Sequence, residues 1–349
     1  MDTNILYDEI KKIYGFLGDD LSKRIFCDRL LYSLTGDLQN IFRMVQYIPE
    51  AKEIIEKLNN VDTSIPKYIY GAGIRGRAIK KIWSYDWKGF IDRNENLTGT
   101  KIDGIPVISC KDIKNRDDMV IVIPNRFFAD DIYRDLIGLG VKKEYIFNIS
   151  ELWNELLYEQ YFDLPELTHS EDEVFVDDGA FDGLSTIQFL KWSKNNFKKV
   201  YIWEPNQQNL LTCKNNLKNI ISKEKCVFVN KASWNIRGSI SFTENGIASN
   251  VNKNGEIVIE SSTILHELQN SDIPTFIKMD IEGSESRTLY GCRELIKKYC
   301  PKLAVSVYHR PEDILDLMNL ILRYNNNYKF YLRHYSYVDW DTVLYAVPQ

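Results

Sequence analysis

Ten residues at positions 174–183, Val-Phe-Val-Asp-Asp-Gly-Ala-Phe-Asp-Gly, constrain this chain more than any other stretch. Val174, Phe175, Val176 and Asp177 predict a short buried strand. An acidic pair and a Gly-x-x-x-Gly turn follow, and the apolar spacing from Leu184 onward predicts an amphipathic helix. Strand, glycine turn and helix form the unit with which open α/β sheets hold a nucleotide at the carboxyl ends of their strands. Gly179 and Gly183 are expected to let backbone approach a ligand where a Cβ would block it.

The rest of this half alternates strand and helix. Residues 200–203 predict a second strand, and Glu204 stands at its carboxyl end, where a carboxylate can accept two hydrogen bonds from a ribose diol. Pro205 stops that strand, and Asn206 is suited to cap the helix after it. A third strand at 226–229 leads to Ala232 and Ser233, and residues 239–242 suggest an added hairpin strand. The polar stretch 244–262 is a candidate substrate loop or lid. A fourth strand at 276–279 delivers Asp280, Glu282 and Glu285 just past its end, and a fifth at 302–307 delivers Tyr308, His309 and Arg310. Residues 328–334 and 342–347 predict two closing strands, an antiparallel pair completing a sheet of about seven.

With 349 residues, the chain is long enough for two domains. Residues 1–62 carry helical periodicity and no visible chemistry, and are expected to pack on a neighbour or mediate dimerisation. Residues 63–150 contain a second α/β unit. The strand ending at Tyr70 runs into Gly71-Ala72-Gly73-Ile74-Arg75-Gly76 and a helix, and Asp92 ends the next strand where a ribose-binding acid would sit. Together with Gly104-Ile105-Pro106-Val107, this piece resembles the small nucleotide-sugar-binding domain of bacterial sugar acyltransferases and sugar methyltransferases. The alternatives are a fold used for packing alone and an NAD site. Residues 151–170 form a linker helix, and 171–349 the larger domain.

Composition excludes several classes. A net charge of −5 argues against a general nucleic-acid binder, which would show a basic face. No apolar run approaches the ~18 residues of a membrane span, and the start Met1-Asp2-Thr3-Asn4 lacks a secretory signal. The six cysteines show neither Cys-x-x-Cys pairing nor zinc spacing, so reduced core thiols and a cytoplasmic location are expected.

Residues 174–347 resemble the FkbM family of S-adenosylmethionine-dependent methyltransferases. The matching pieces are Val176-Asp177-Asp178-Gly179-Ala180, Glu204-Pro205-Asn206, Ile277-Lys278-Met279-Asp280-Ile281-Glu282-Gly283 and Ser306-Val307-Tyr308-His309. Asp178 stands where the family usually has an apolar residue, and Phe181 where Asn is common. The resemblance implies a class I, Rossmann-like, seven-stranded α/β domain, preceded here by the smaller Rossmann-like domain and the helical extension. It also implies S-adenosylmethionine as cofactor, S-adenosylhomocysteine as product, and O-methylation of a sugar or polyketide-type hydroxyl.

The expected cofactor contacts are Asp177, Asp178, Gly179, Ala180, Phe181, Asp182, Gly183, Ser185, Glu204, Pro205, Asn206, Ala232, Ser233 and Asp280. His309 is the candidate base, since an unperturbed imidazole titrates near pH 6.5, with holding its loop as the structural alternative. Asp280 and Glu282 are expected to orient His309 and the acceptor, with a divalent cation or a purely structural turn as the alternatives. Tyr308, Arg310 and Arg333 are the substrate-side candidates, the two arginines for an acceptor phosphate. The favoured acceptor is a sugar hydroxyl, in a nucleotide-activated sugar or a surface or flagellar glycan precursor. N-methylation of an amine-bearing glycan and a catalytically silent nucleotide-binding scaffold are the competing readings.

Overall fold

The computed structural model describes residues 3–113, 118–243, 250–251, 257–269 and 272–349. The chain opens with helices α1 (Thr3–Phe16) and α2 (Asp20–Thr35). The helical stretch expected to run on to Leu58 is broken in two, α3 (Gln39–Val45) and α4 (Pro49–Asn59). Ile48 is extended and Pro49 takes the first position of α4, where its missing N–H costs nothing.

Strand β1 (Lys67–Tyr70), helix α5 (Ile74–Ile82) and strands β2 (Trp87–Asp92), β3 (Lys101–Ile102), β4 (Ile105–Ser109) and β5 (Val120–Ile123) come next. Helix α6 (Ala129–Gly138), strand β6 (Ile146–Asn148) and helix α7 (Ser150–Glu159) follow. The six strands form one sheet in the order β3-β4-β2-β1-β5-β6. β1 pairs in parallel with β2 and β5, so the chain reverses direction around β1, as doubly wound sheets do at their ligand crevice.

The second sheet starts with β7 (Val174–Asp178), helix α8 (Leu184–Trp192), β8 (Lys199–Trp203), helix α9 (Gln207–Leu217) and β9 (Cys226–Val229). An inserted group follows: β10 (Ala232–Ser233), β11 (Gly238–Thr243), β12 (Asn250–Val251), β13 (Ile257–Ser262) and helix α10 (Ile264–Glu267). Its strands form a separate four-stranded sheet, β10-β13-β11-β12. Of the stretch anticipated as a lid, residues 244–249 and 252–256 lie outside the described residues, and Ile257–Ser262 is strand. The chain ends with β14 (Phe276–Met279), α11 (Glu285–Gly291), α12 (Arg293–Tyr299), β15 (Lys302–Ser306), α13 (Asp313–Tyr324), β16 (Tyr328–His334) and β17 (Thr342–Pro348). The order β16-β17-β15-β14-β7-β8-β9, with β17 antiparallel to β15, is the seven-stranded arrangement the motifs implied.

Two compact units result. One holds residues 1–30, 159–333 and 341–349, the other residues 31–158 and 334–340. In the larger unit Phe175 and Phe189 stack at 4.3 Å, and Phe162, Trp192 and Phe276 close around them. These rings bury the apolar area on which such a sheet depends. Phe162 comes from the stretch read as linker. In the smaller unit Tyr337 meets the rings of Trp83 and Trp153 edge-on, and its carbonyl accepts the Trp83 indole N–H at 2.9 Å. All six cysteines are free, but only Cys213 and Cys292 are buried, so the core-thiol expectation fits those two.

Candidate functional site

Parallel pairing of β7 with β8 and β14, and of β14 with β15, brings four strand ends to one edge. There they deliver Asp178, Glu204, Asp280 and, just past Ser306, His309. The glycine turn is packed closely within the protein itself. Gly179 has φ +81°, and a Cβ on it would stand 1.9 Å from the carbonyl oxygen of Asp280. Gly183 has φ +88°, with Cys213 Sγ 2.9 Å from the Cβ position. Both glycines are required by close packing against the chain's own backbone and α9, before any ligand arrives.

The turn is wired to Glu204. The Phe181 amide donates to Glu204 Oε2 at 3.0 Å, and the Asn206 amide to Oε1 at 2.9 Å. Burial raises the Glu204 pKa, and these amide donors hold it down in opposition. The carboxylate is thus fixed at the strand end, and each oxygen keeps lone-pair capacity for a diol. Asn206 also caps α9, accepting from the Asn209 amide at 3.0 Å. Pro205 lies between them, its carbonyl accepting from Asn230.

The acidic pair divides its labour. Asp177 is fully buried, taking hydroxyl bonds from Ser185 (2.7 Å) and Thr186 (2.6 Å) and an ion pair from Lys278 (3.2 Å). Lys278 also donates to the Gly179 carbonyl at 2.7 Å, so one ammonium ties β14 to the turn. Asp178, the unusual acid, is buried and accepts from Ser233 at 2.5 Å, while Ser233 also meets Thr288 at 2.8 Å. Burial pushes its pKa up to about 7, against the Ser233 bond and Lys278. Asp177, Asp178, Ser185 and Ser233 therefore bond within the protein around the turn. Asp182 caps its own turn through the Leu184 amide, Ala180 and Ala232 are buried, and Phe181 is 38% exposed.

The second half of the site is a charge cluster. His309 has 8% side-chain exposure, with Nδ1 2.9 Å from Glu285 Oε1 and Nε2 3.5 Å and 3.6 Å from Asp280 Oδ1 and Glu282 Oε2. Burial works against its charge, but the Glu285, Asp280 and Glu282 carboxylates outweigh it and take the imidazole up to about 9. Burial likewise raises Glu282 to about 7, His309 partly offsetting it. Asp280 goes the other way. Its burial is outweighed by His309 and Lys278, and the Tyr161 hydroxyl donates to Oδ2 at 2.8 Å. Tyr308 donates to Oδ1 at 3.3 Å, and its ring lies 4.1 Å from that of His309. Asp280, Glu285 and His309 each place one ligand-type atom within 4.8 Å of the others. The imidazole and the carboxylates lie within ion-pair range of one another there.

Arg310 is exposed beside this cluster, its Nε 3.1 Å from the Cβ position of Gly283. Arg333, expected to meet an acceptor phosphate, is instead bound to Asp19 at 2.6 Å and to the Ser22 hydroxyl at 3.2 Å. The guanidinium has a carboxylate from α1–α2 as its partner, which the sequence spacing of 314 residues hid. Two contributors went unassigned in the sequence. Glu285 was visible among the acids past β14 and required only a partner, His309. Tyr161 carried no signal, because it comes from the linker stretch and turns inward at φ +77°.

The smaller unit repeats the wiring. Asp92 Oδ2 accepts the Ala72 amide at 2.9 Å, as Glu204 accepts that of Phe181, and a Cβ on Gly76 would stand 1.9 Å from the Gly71 carbonyl oxygen.

The residues fit S-adenosylmethionine in kind. Glu204 would hold the ribose, residues 179–183 would line the turn beside it, and the exposed Phe181 offers an apolar face. Residues 177–330 match the family model described as Methyltransferase FkbM domain. No curated protein matches the chain. Among solved structures, a methyltransferase FkbM from Methylobacillus flagellatus KT is 21% identical, covering 86% of this chain and 99% of that one at a TM-score of 0.53. A putative rRNA-methylase from Clostridium thermocellum is 9% identical, covering 54% and 92% at a TM-score of 0.37. The first likeness establishes the fold, and the family match covers the strand ends just described. Residues 177–330 carry a match to the FkbM methyltransferase domain, and the chain is an S-adenosylmethionine-dependent methyltransferase.

Proposed function

We propose that this enzyme O-methylates a sugar hydroxyl, in a nucleotide-activated sugar or a surface or flagellar glycan precursor. The observation that supports the reading is the second Rossmann-like unit, whose Asp92–Ala72 hydrogen bond and close-packed Gly76 resemble those of nucleotide-binding turns. Methyl transfer itself does not require such a unit, whereas a nucleotide-linked acceptor does supply a use for it. Bound S-adenosylmethionine supplies an electrophilic methyl group. What remains for the chain is alignment, worth roughly 7–11 kcal/mol in favourable cases, and acceptance of the hydroxyl proton. Glu204 and the turn at 179–183 would fix the donor, while Asp280, Glu282 and His309 would face the acceptor, with Tyr308 and Arg310 beside it.

The test is a panel of nucleotide sugars, free sugars and amino sugars incubated with S-adenosylmethionine, with products read by mass spectrometry. A mass gain of one methyl on a hydroxyl-only nucleotide sugar supports the reading. Methylation confined to amino sugars would replace it with N-methylation. Cofactor binding without methylation of any sugar would turn attention to a different acceptor.

A further inference from the structure

The three groups expected to share the proton chemistry differ sharply in their charged surroundings and their exposure. Both nitrogens of His309 face carboxylate oxygens, Nδ1 at 2.9 Å from Glu285 and Nε2 at 3.5 and 3.6 Å from Asp280 and Glu282. Neither ring nitrogen makes a hydrogen bond of ordinary geometry, but three carboxylates within ion-pair range on both sides of the ring favour its cationic, doubly protonated form. An imidazolium so enclosed has no lone pair with which to take a proton. Asp280 has both oxygens under tyrosine hydroxyls, Tyr161 at 2.8 Å and Tyr308 at 3.3 Å, beside the buried ammonium of Lys278. That arrangement favours a permanent carboxylate.

Glu282 is different in each respect. Its side chain is 36% exposed, and its ion-pair contact is the long one to His309. Its backbone is left-handed at φ +55°, followed by Gly283 at φ +87°. A non-glycine residue held in that region is strained and persists only where its surroundings demand it. Tyr161 and Phe181, at φ +77° and +50°, share this backbone region at the same site.

We infer that Glu282 is the proton acceptor of the reaction, and that His309 is a positioning residue, a fixed cation that aims Glu282 and balances the acids around it. The inference rests on the reading of a hydroxyl acceptor. As the acceptor oxygen bonds to the methyl carbon, the carbon–sulfur bond breaks with its electron pair kept by sulfur. The hydroxyl proton passes to a Glu282 carboxylate oxygen, and from there to solvent through the exposed side. The charged groups around Glu282 are His309 from beyond β15, Asp280 and Lys278 from β14 and its end, Glu285 from α11, and Arg310 across Gly283. Burial among them brings Glu282 up to about 7, suited to a base working near neutrality.

The test pairs kinetics with spectroscopy on the intact chain. Glu282→Gln is expected to lower kcat by at least about 10²-fold while S-adenosylhomocysteine affinity stays within about threefold. The rise of wild-type kcat with pH, centred near 7, should vanish in that variant. Glu282→Gln retaining most of its turnover would overturn the assignment. In parallel, nitrogen-15 spectra of the four histidine rings, assigned with His309→Gln, should show His309 doubly protonated at pH 7. A singly protonated ring there would overturn it independently of any acceptor. Wild-type enzyme that methylates no hydroxyl would instead mark failure of the acceptor reading, and the ring spectra would still decide the state of His309.

Discussion

At the scale of single residues, the site is governed by one histidine among acids. The sequence placed His309 at a strand's carboxyl end, and the simplest expectation there was a neutral base. What it could not show was Glu285 at 2.9 Å, because that contact depends on how α11 leaves β14. The consequence is measurable in stability. His309 is raised in the fold to about 9, so its contribution is fully present below about pH 6.5, where the unfolded imidazole is protonated too. It is lost as pH rises through about 9. Glu282, Asp178 and Asp313, raised by burial to about 7, act in the same direction at lower pH, losing their contribution between the ordinary carboxylate range and neutrality. The melting temperature should therefore fall between pH 7 and pH 10, and His309→Gln should flatten that fall. Scanning fluorimetry of both proteins across this range checks the sign; a wild-type curve that is level or rising would contradict it.

At the scale of elements, the glycine turn has a packing role that its spacing did not reveal. The spacing of Gly179 and Gly183 pointed to ligand approach, yet the nearest atoms to a Cβ at these positions belong to Asp280 and Cys213. Gly179→Ala must adopt φ +81° and displace the carbonyl at the end of β14. It should destabilise the protein by at least about 2 kcal/mol, read from denaturant midpoints, even without cofactor. A variant as stable as wild type would contradict the packing role. The strands themselves were legible, since buried parallel strands give continuous apolar runs such as residues 174–176 and 276–277, bounded by turns and acids. The break between α3 and α4 was not drawn, although Pro49 was its signal. Arg333 misled because an arginine near a strand end looks the same whether its partner is a phosphate or Asp19.

At the scale of the whole molecule, the seven strands of the larger sheet were legible in the sequence, but the limits of the larger unit were not. Residues 1–30 belong to it: Ile13, Leu17, Ile25 and Phe26 are buried, and the Gly18 amide donates to the Phe330 carbonyl at 2.7 Å. So does Phe162, in the aromatic cluster around Phe175, and Tyr161, on Asp280. None of these contacts carries a local signature. A fragment starting at Glu171 should consequently fail to fold cooperatively, whereas the intact chain should melt with its core protected; circular dichroism and limited proteolysis distinguish the two. A well-folded fragment with full cofactor affinity would show that residues 1–30 and 159–170 are dispensable to the unit.

The central claim is that the cofactor lies at the carboxyl edge of the seven-stranded sheet, with its ribose on Glu204. Calorimetric titration with S-adenosylhomocysteine, wild type beside Glu204→Ala, tests it most directly. Micromolar-range binding that weakens at least about tenfold in the variant, equivalent to about 1.4 kcal/mol, is the predicted result. Equal affinity in the two proteins, or no binding heat and no thermal stabilisation in the wild type, would contradict it.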